Sequence, residues 1–143
     1  MNTQVVLILF VLFALTSGQN LREIHLKTNQ DDASDVGGES GISVEMVNLD
    51  FQQCEVGSLD NSVDNYNPNE VDVFHDEQLG ACAGFPMPQG KLPILKLRHV
   101  GSDGWQGDWI RFLLDDGTYL ECPVNAWLDD DQVVNIKCHG EQT

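Results

Sequence analysis

Three observations predict an all-β fold, an antiparallel β-sandwich of two sheets stabilised by disulfides. Apolar and polar residues alternate with a period of two over several short runs, turn residues separate those runs, and no run shows a helical period. The stretch from Ile94 to Leu128, ILKLRHVGSDGWQGDWIRFLLDDGTYLECPVNAWL, is the most telling. It reads as three short strands punctuated by Gly-Ser-Asp-Gly, Asp-Asp-Gly and Cys-Pro turns.

The alternation begins at Ile42, where Ile42, Val44 and Met46 share one face. After a loop rich in Asp and Asn, Val71 to Phe74 makes a second short strand. Gly84 to Gly90, GFPMPQG, is a connection, because its prolines cannot sit in a central strand. Leu95, Leu97 and His99 then alternate with Lys96 and Arg98, and Ile110, Phe112 and Leu114 with Trp109, Arg111 and Leu113. Leu120 and Cys122 follow, and Val134, Ile136 and Cys138 close the series. Asp115-Asp116-Gly117 is a tight hairpin signal, with Gly117 supplying the positive φ that other residues resist.

Upstream of these runs, Val5 to Leu15 is apolar but much shorter than the ~20 residues a membrane-spanning helix needs. Small residues Thr16 and Gly18 follow it, so residues 1–18 are expected to be a cleaved signal peptide, and the mature chain to be secreted with no transmembrane segment. Removal leaves 143 − 18 = 125 residues, enough for one domain. Residues 19–41 are polar, carry apolar residues only in LREIHLK, and are expected to be a flexible acidic arm or a pro-segment. Residues 42–143 are the expected sandwich domain.

The chain has 23 acidic and 7 basic residues, a net charge of −16, all of it downstream of the leader. Such a field repels nucleic acid and anionic membrane and attracts cations or basic surfaces. Four cysteines in an oxidising compartment imply two disulfides. Of three possible pairings, Cys54 with Cys82 and Cys122 with Cys138 is expected, the second linking two neighbouring C-terminal strands. No Cys-x-x-Cys is present, which argues against a zinc site.

In their order along the chain, Asp72-Val73-Phe74, Leu79-Gly80, the strand Ile94 to His99, Gly104-Trp105 with Trp109-Ile110-Arg111, and Tyr119, Cys122 and Trp127-Leu128 resemble the PLAT domain of polycystins, lipoxygenases and α-toxins. The resemblance covers roughly residues 70–138 and is weak over 42–69, which suggests shortened or remodelled first strands. It implies an eight-stranded sandwich serving as a non-catalytic lipid- or protein-binding module, in some members with calcium at the loops of one end.

Candidate binding residues are Trp105, Trp109, Lys96 and Arg98. Trp105 is either an exposed loop anchor for a ligand or a lid folded back on the core, whereas Trp127 is expected in the core. Lys96 and Arg98, with Lys91 and Arg111, gather most of the positive charge, to receive an anionic ligand or to pair with neighbouring carboxylates. For calcium, Asp60-x-Ser-x-Asp64 opens like an EF-hand loop, but Asn65 and Val71 stand where that loop needs a glycine and a bidentate Glu. Asp129, Asp130 and Asp131 form a second acidic cluster. No cofactor is required on this reading, and weak, multivalent calcium attraction is the expectation.

His75 and His99 could be assembled with Ser and Asp residues on paper, but no nucleophile-elbow or metalloprotease motif supports a catalytic set. The chain reads as no enzyme. Two functions follow: an acidic extracellular-matrix component, for instance of a calcified skeleton or shell, that binds calcium, mineral or matrix partners; or a diffusible binder of lipid or receptor, such as a venom or defence component.

Overall fold

A computed structural model of the chain describes residues 19–30, 41–61, 65–101, 104–129 and 131–138. The fold has eight strands, most of them alternating inward apolar with outward polar side chains: β1 (Leu21–Thr28), β2 (Gly41–Val47), β3 (Gln53–Val56), β4 (Val71–His75), β5 (Ile94–Val100), β6 (Trp105–Leu114), β7 (Tyr119–Leu128) and β8 (Val133–Ile136). They form two antiparallel four-stranded sheets, in the orders β4-β1-β6-β7 and β3-β2-β5-β8. Ile24, Leu26, Phe74, Ile110, Phe112 and Cys122 of the first sheet meet Ile42, Val44, Met46, Leu95 and Leu97 of the second in one buried core. This is the disulfide-stabilised all-β sandwich that the alternation predicts.

The bonds join Cys54 of β3 to Cys82, at the end of the 3-10 turn Asp76–Cys82, and Cys122 of β7 to Cys138, just after β8. Their Cα atoms lie 5.2 and 4.3 Å apart. Because β7 and β8 belong to different sheets, the second bond ties the two layers together.

Three expectations need correction. Leu21–Thr28 is not part of a coreless arm: β1 lies between β4 and β6 and buries Leu21, Ile24 and Leu26. Its outward residues are charged, so the stretch looks polar, yet three inward apolar side chains suffice when both strand edges are paired. The remainder of the expected arm, residues 31–40, and the expected leader, residues 1–18, lie outside the described residues.

The Cys-Pro pair makes no turn. Pro123 sits inside the ten-residue β7, opposite Trp109, at the edge of the first sheet. An edge strand has a free side on which proline's missing N–H breaks no ladder bond. Likewise Trp105 is no loop residue but the first residue of β6, paired with Leu128.

Candidate functional site

Trp105 is fully buried, and its indole Nε1 donates to Thr28 Oγ1 at 3.0 Å. The Tyr66 ring meets it edge-on, with centroids 6.4 Å apart. Tyr66 donates its hydroxyl to the Leu59 carbonyl at 2.5 Å and accepts from the Ile42 amide at 3.2 Å, and burial pushes its phenol well above its usual range. Gly107, two residues on along the same inward face, is a glycine because a Cβ there would overlap the Trp105 ring. The anchor expectation for Trp105 is therefore overturned. A large ring with one N–H is stable inside a core once that N–H has a partner, and Thr28 provides it.

The outer side of the same sheet is a different environment. Cross-strand rows place Lys27 beside Trp109 and Pro123, His25 beside Arg111 and Glu121, and Glu23 beside Leu113 and Tyr119. Arg111 organises the middle of this face. Its guanidinium stands 4.8 Å from the Trp109 ring and 4.5 Å from the Tyr119 ring, and its Nη2 donates to Glu121 Oε1 at 2.6 Å. Trp127, expected in the core, is 48% exposed at the end of this face and lies over Gly104. Its strand neighbour Leu128 takes the inward position instead, because side chains alternate along β7.

Lys96 and Arg98 are on the far side of the molecule, on the outer face of the second sheet. With Ser43, Glu45, Glu55 and Val133 they line a shallow depression of about 200 Å³. The four candidate binding residues thus fall in three places: Trp105 in the core, Trp109 on one outer face, and Lys96 with Arg98 on the other. Ser43, Glu45 and Glu55 went unnoticed because grouping them with Lys96 and Arg98 needs the register of β2 against β3 and β5, which no local pattern supplies.

The described acidic candidates are each engaged locally. Asp60 accepts from Asn65 Nδ2 at 3.2 Å, and Asp131 pairs with Arg98 at 3.7 Å. Asp129 is engaged through its backbone with Gln132 in the turn before β8. Asp64 and Asp130 lie outside the described residues. Among the described residues, no three His, Cys, Asp or Glu side chains gather as metal ligands. Asp116 caps its own hairpin: hydrogen bonds from the Thr118 hydroxyl and amide hold its carboxyl below the usual range.

Charge is sorted by position. The described strands carry six acids (Glu23, Glu45, Glu55, Asp72, Asp108, Glu121) and five bases (Arg22, Lys27, Lys96, Arg98, Arg111), a sum of −1. The other 23 − 6 = 17 acids and 7 − 5 = 2 bases fall outside them, a sum of −15. The strand faces are nearly neutral and partly aromatic, and the acid excess lies outside the described strands.

No family model and no curated protein matches the chain. Solved structures do. An alpha toxin from Clostridium absonum superposes with a TM-score of 0.60 at 17% identity, covering 85% of this chain and 32% of the toxin. Clostridium perfringens alpha-toxin from an avian strain gives a TM-score of 0.58 at 16% identity, covering 85% and 33%. The chain spans about a third of the length of these toxins, and at this identity the likeness concerns the fold. No helix among the described residues is long and apolar enough to cross a membrane. With its two four-stranded sheets and the ordered Asp-x-Phe, Gly-Trp and Trp-Leu elements, this chain has the PLAT-like β-sandwich fold that it shares with the clostridial alpha-toxins.

Proposed function

We propose that the protein is a secreted, non-catalytic sandwich acting as an acidic extracellular-matrix component, in which the sheets give shape and the connections collect calcium or meet mineral and matrix partners. The observation that carries this reading is the sorting of charge: −15 outside the described strands against −1 within them. A charge excess of this size forms a field that attracts divalent cations without requiring one built site. The apolar leader and the two disulfides support an extracellular setting.

Isothermal titration of the mature chain with calcium tests this. Several loose millimolar events should appear at low salt and weaken as salt rises, because the Debye length shrinks to ~8 Å at physiological ionic strength. No binding even at low salt would remove the support for the matrix reading. One stoichiometric event that survives high salt and is lost in Asp60→Asn would replace diffuse attraction with a specific loop site.

A second reading, a diffusible binder of lipid or receptor, is favoured by the outer face of the first sheet, where Trp109 and the 45% exposed Tyr119 flank Arg111 and the 48% exposed Trp127 stands at the far end of β7. Exposed aromatic rings with a neighbouring guanidinium are the composition of contact hot spots. On that reading, Trp127→Ala abolishes partner binding while Trp105→Ala acts only through folding.

A further inference from the structure

The depression on the outer face of the second sheet has a charge arrangement that the fold does not use. Glu45 of β2 stands in direct register with Lys96 of β5 on one side and Glu55 of β3 on the other, and Ser43 stands opposite Arg98. Among the described residues neither Glu45 nor Lys96 has an ion-pair partner, although they face each other across one ladder step and both are half-buried. Among the described residues Glu55 is held by one long contact, 3.4 Å, from the Ser43 hydroxyl. Two like charges directly opposite each other on neighbouring strands are destabilising. Glu45 and Glu55 are therefore a cost to the folded chain that a cationic group between them would relieve.

The signs are separated by strand. Both carboxylates come from β2 and β3, and both cations from β5, with Arg98 already leaning toward Asp131 at 3.7 Å. Neighbouring strands lie ~4.8 Å apart and alternate residues along a strand ~6.7 Å apart, so the acidic and basic halves are a few ångströms from each other. A simple anion on Lys96 and Arg98 would also face Glu45 and Glu55, and a simple cation would face Lys96. A molecule carrying both charges meets both halves. The depression, about 200 Å³, holds the equivalent of about six or seven waters, and the exposed Val133 gives it one apolar wall.

We propose that this depression binds a small zwitterion, its ammonium group on Glu45 and Glu55 and its anionic group on Lys96 and Arg98. Such a group is found on free amino-sulfonates and amino acids and on zwitterionic lipid head groups. This proposal goes beyond the matrix reading and is independent of calcium.

The test is calorimetric titration of the full chain with taurine, with methanesulfonate and methylammonium as single-charge probes, and co-sedimentation with phosphatidylcholine vesicles. Taurine should bind saturably at one per chain, and each single-charge probe at least about tenfold more weakly, the loss of one charge-assisted contact. Lys96→Gln and Glu45→Gln should each weaken taurine about tenfold without unfolding the chain, and Glu45→Gln, which removes the repulsion with Glu55, should not lower the melting temperature. Vesicle binding without taurine binding, lost in both variants, would support the same site with a membrane-borne zwitterion. The proposal is overturned if methanesulfonate binds as tightly as taurine, if both variants bind unchanged, or if neither taurine nor vesicles bind.

Discussion

Trp105 and Trp127 lie on neighbouring strands of one sheet, one cross-strand step apart in register, and have opposite fates. The first is fully buried and hydrogen-bonded to Thr28, and the second is 48% exposed on the other side. Each lies over a glycine, Gly107 under Trp105 and Gly104 under Trp127. The identity of the residue does not decide its role. The side of the strand on which its position falls does: β7 alternates between a packed interior and an open face, and so does β6 on either side of the irregularity between Gly107 and Trp109, which puts Trp105 inside and Trp109 outside.

If this comparison is right, Trp105→Ala has the largest effect of any single tryptophan change. Truncating a fully buried aromatic costs ~3–5 kcal/mol, a large share of the stability of a domain this size. The same change at Trp127 should stay within ~0.5 kcal/mol, as for an exposed position. Chemical denaturation of both variants measures the two values side by side. Comparable losses at the two sites would break the division between inner and outer side.

The sequence made this sheet partly legible. The strands from β5 to β8 are visible because each has at least two inward apolar residues in alternation, as Leu95 and Leu97 in β5, whereas β4 shows through Val71 and Val73, which face outward, with Asp72 and Phe74 facing in. β1 was hidden, since Arg22, Glu23 and Lys27 surround its three core residues and an acidic stretch follows it. β3 has only Cys54 and Val56 facing inward, too short a run to show a period. Trp105 is misplaced for a local reason: the Gly-Ser-Asp-Gly before it signals a turn, whereas Gly104, like Gly107, is small to let an indole lie across the backbone. The depression at Glu45 and Lys96 was illegible for another reason, because register is a property of two strands and not of either one. His99 takes the buried position its place in the alternation implies, and among the described residues neither of its ring nitrogens has a hydrogen-bond partner.

The glycines sharpen the comparison at smaller scale. A methyl group at Gly107 would overlap a Trp105 ring that close packing holds in place, so Gly107→Ala should cost ~1–3 kcal/mol. At Gly104 the overlapping ring belongs to Trp127, which can swing toward solvent, so Gly104→Ala should cost clearly less. Thermal melts of the two variants give the order directly, and a larger loss at Gly104 would mean that the Trp127 ring is as fixed as its buried counterpart.

The two tyrosines extend the same contrast to pH. Tyr66 is buried against Trp105, with its hydroxyl engaged by Leu59 and Ile42, whereas Tyr119 is 45% exposed beside Arg111. Burial raises the Tyr66 phenol above the usual value near 10, so its contribution to stability is complete below pH ~10 and declines as pH rises from there toward the folded value. In that window the unfolded chain loses a proton that the folded chain keeps, which lowers stability by about 1 kcal/mol per pH unit. In a Tyr119→Phe variant Tyr66 is the sole phenol, and its ionisation, followed by absorbance, should coincide with the loss of β-structure followed by circular dichroism. Ionisation near pH 10 with the sheets intact would show that solvent reaches Tyr66, and that the inner side of the first sheet is no more closed at that point than the outer.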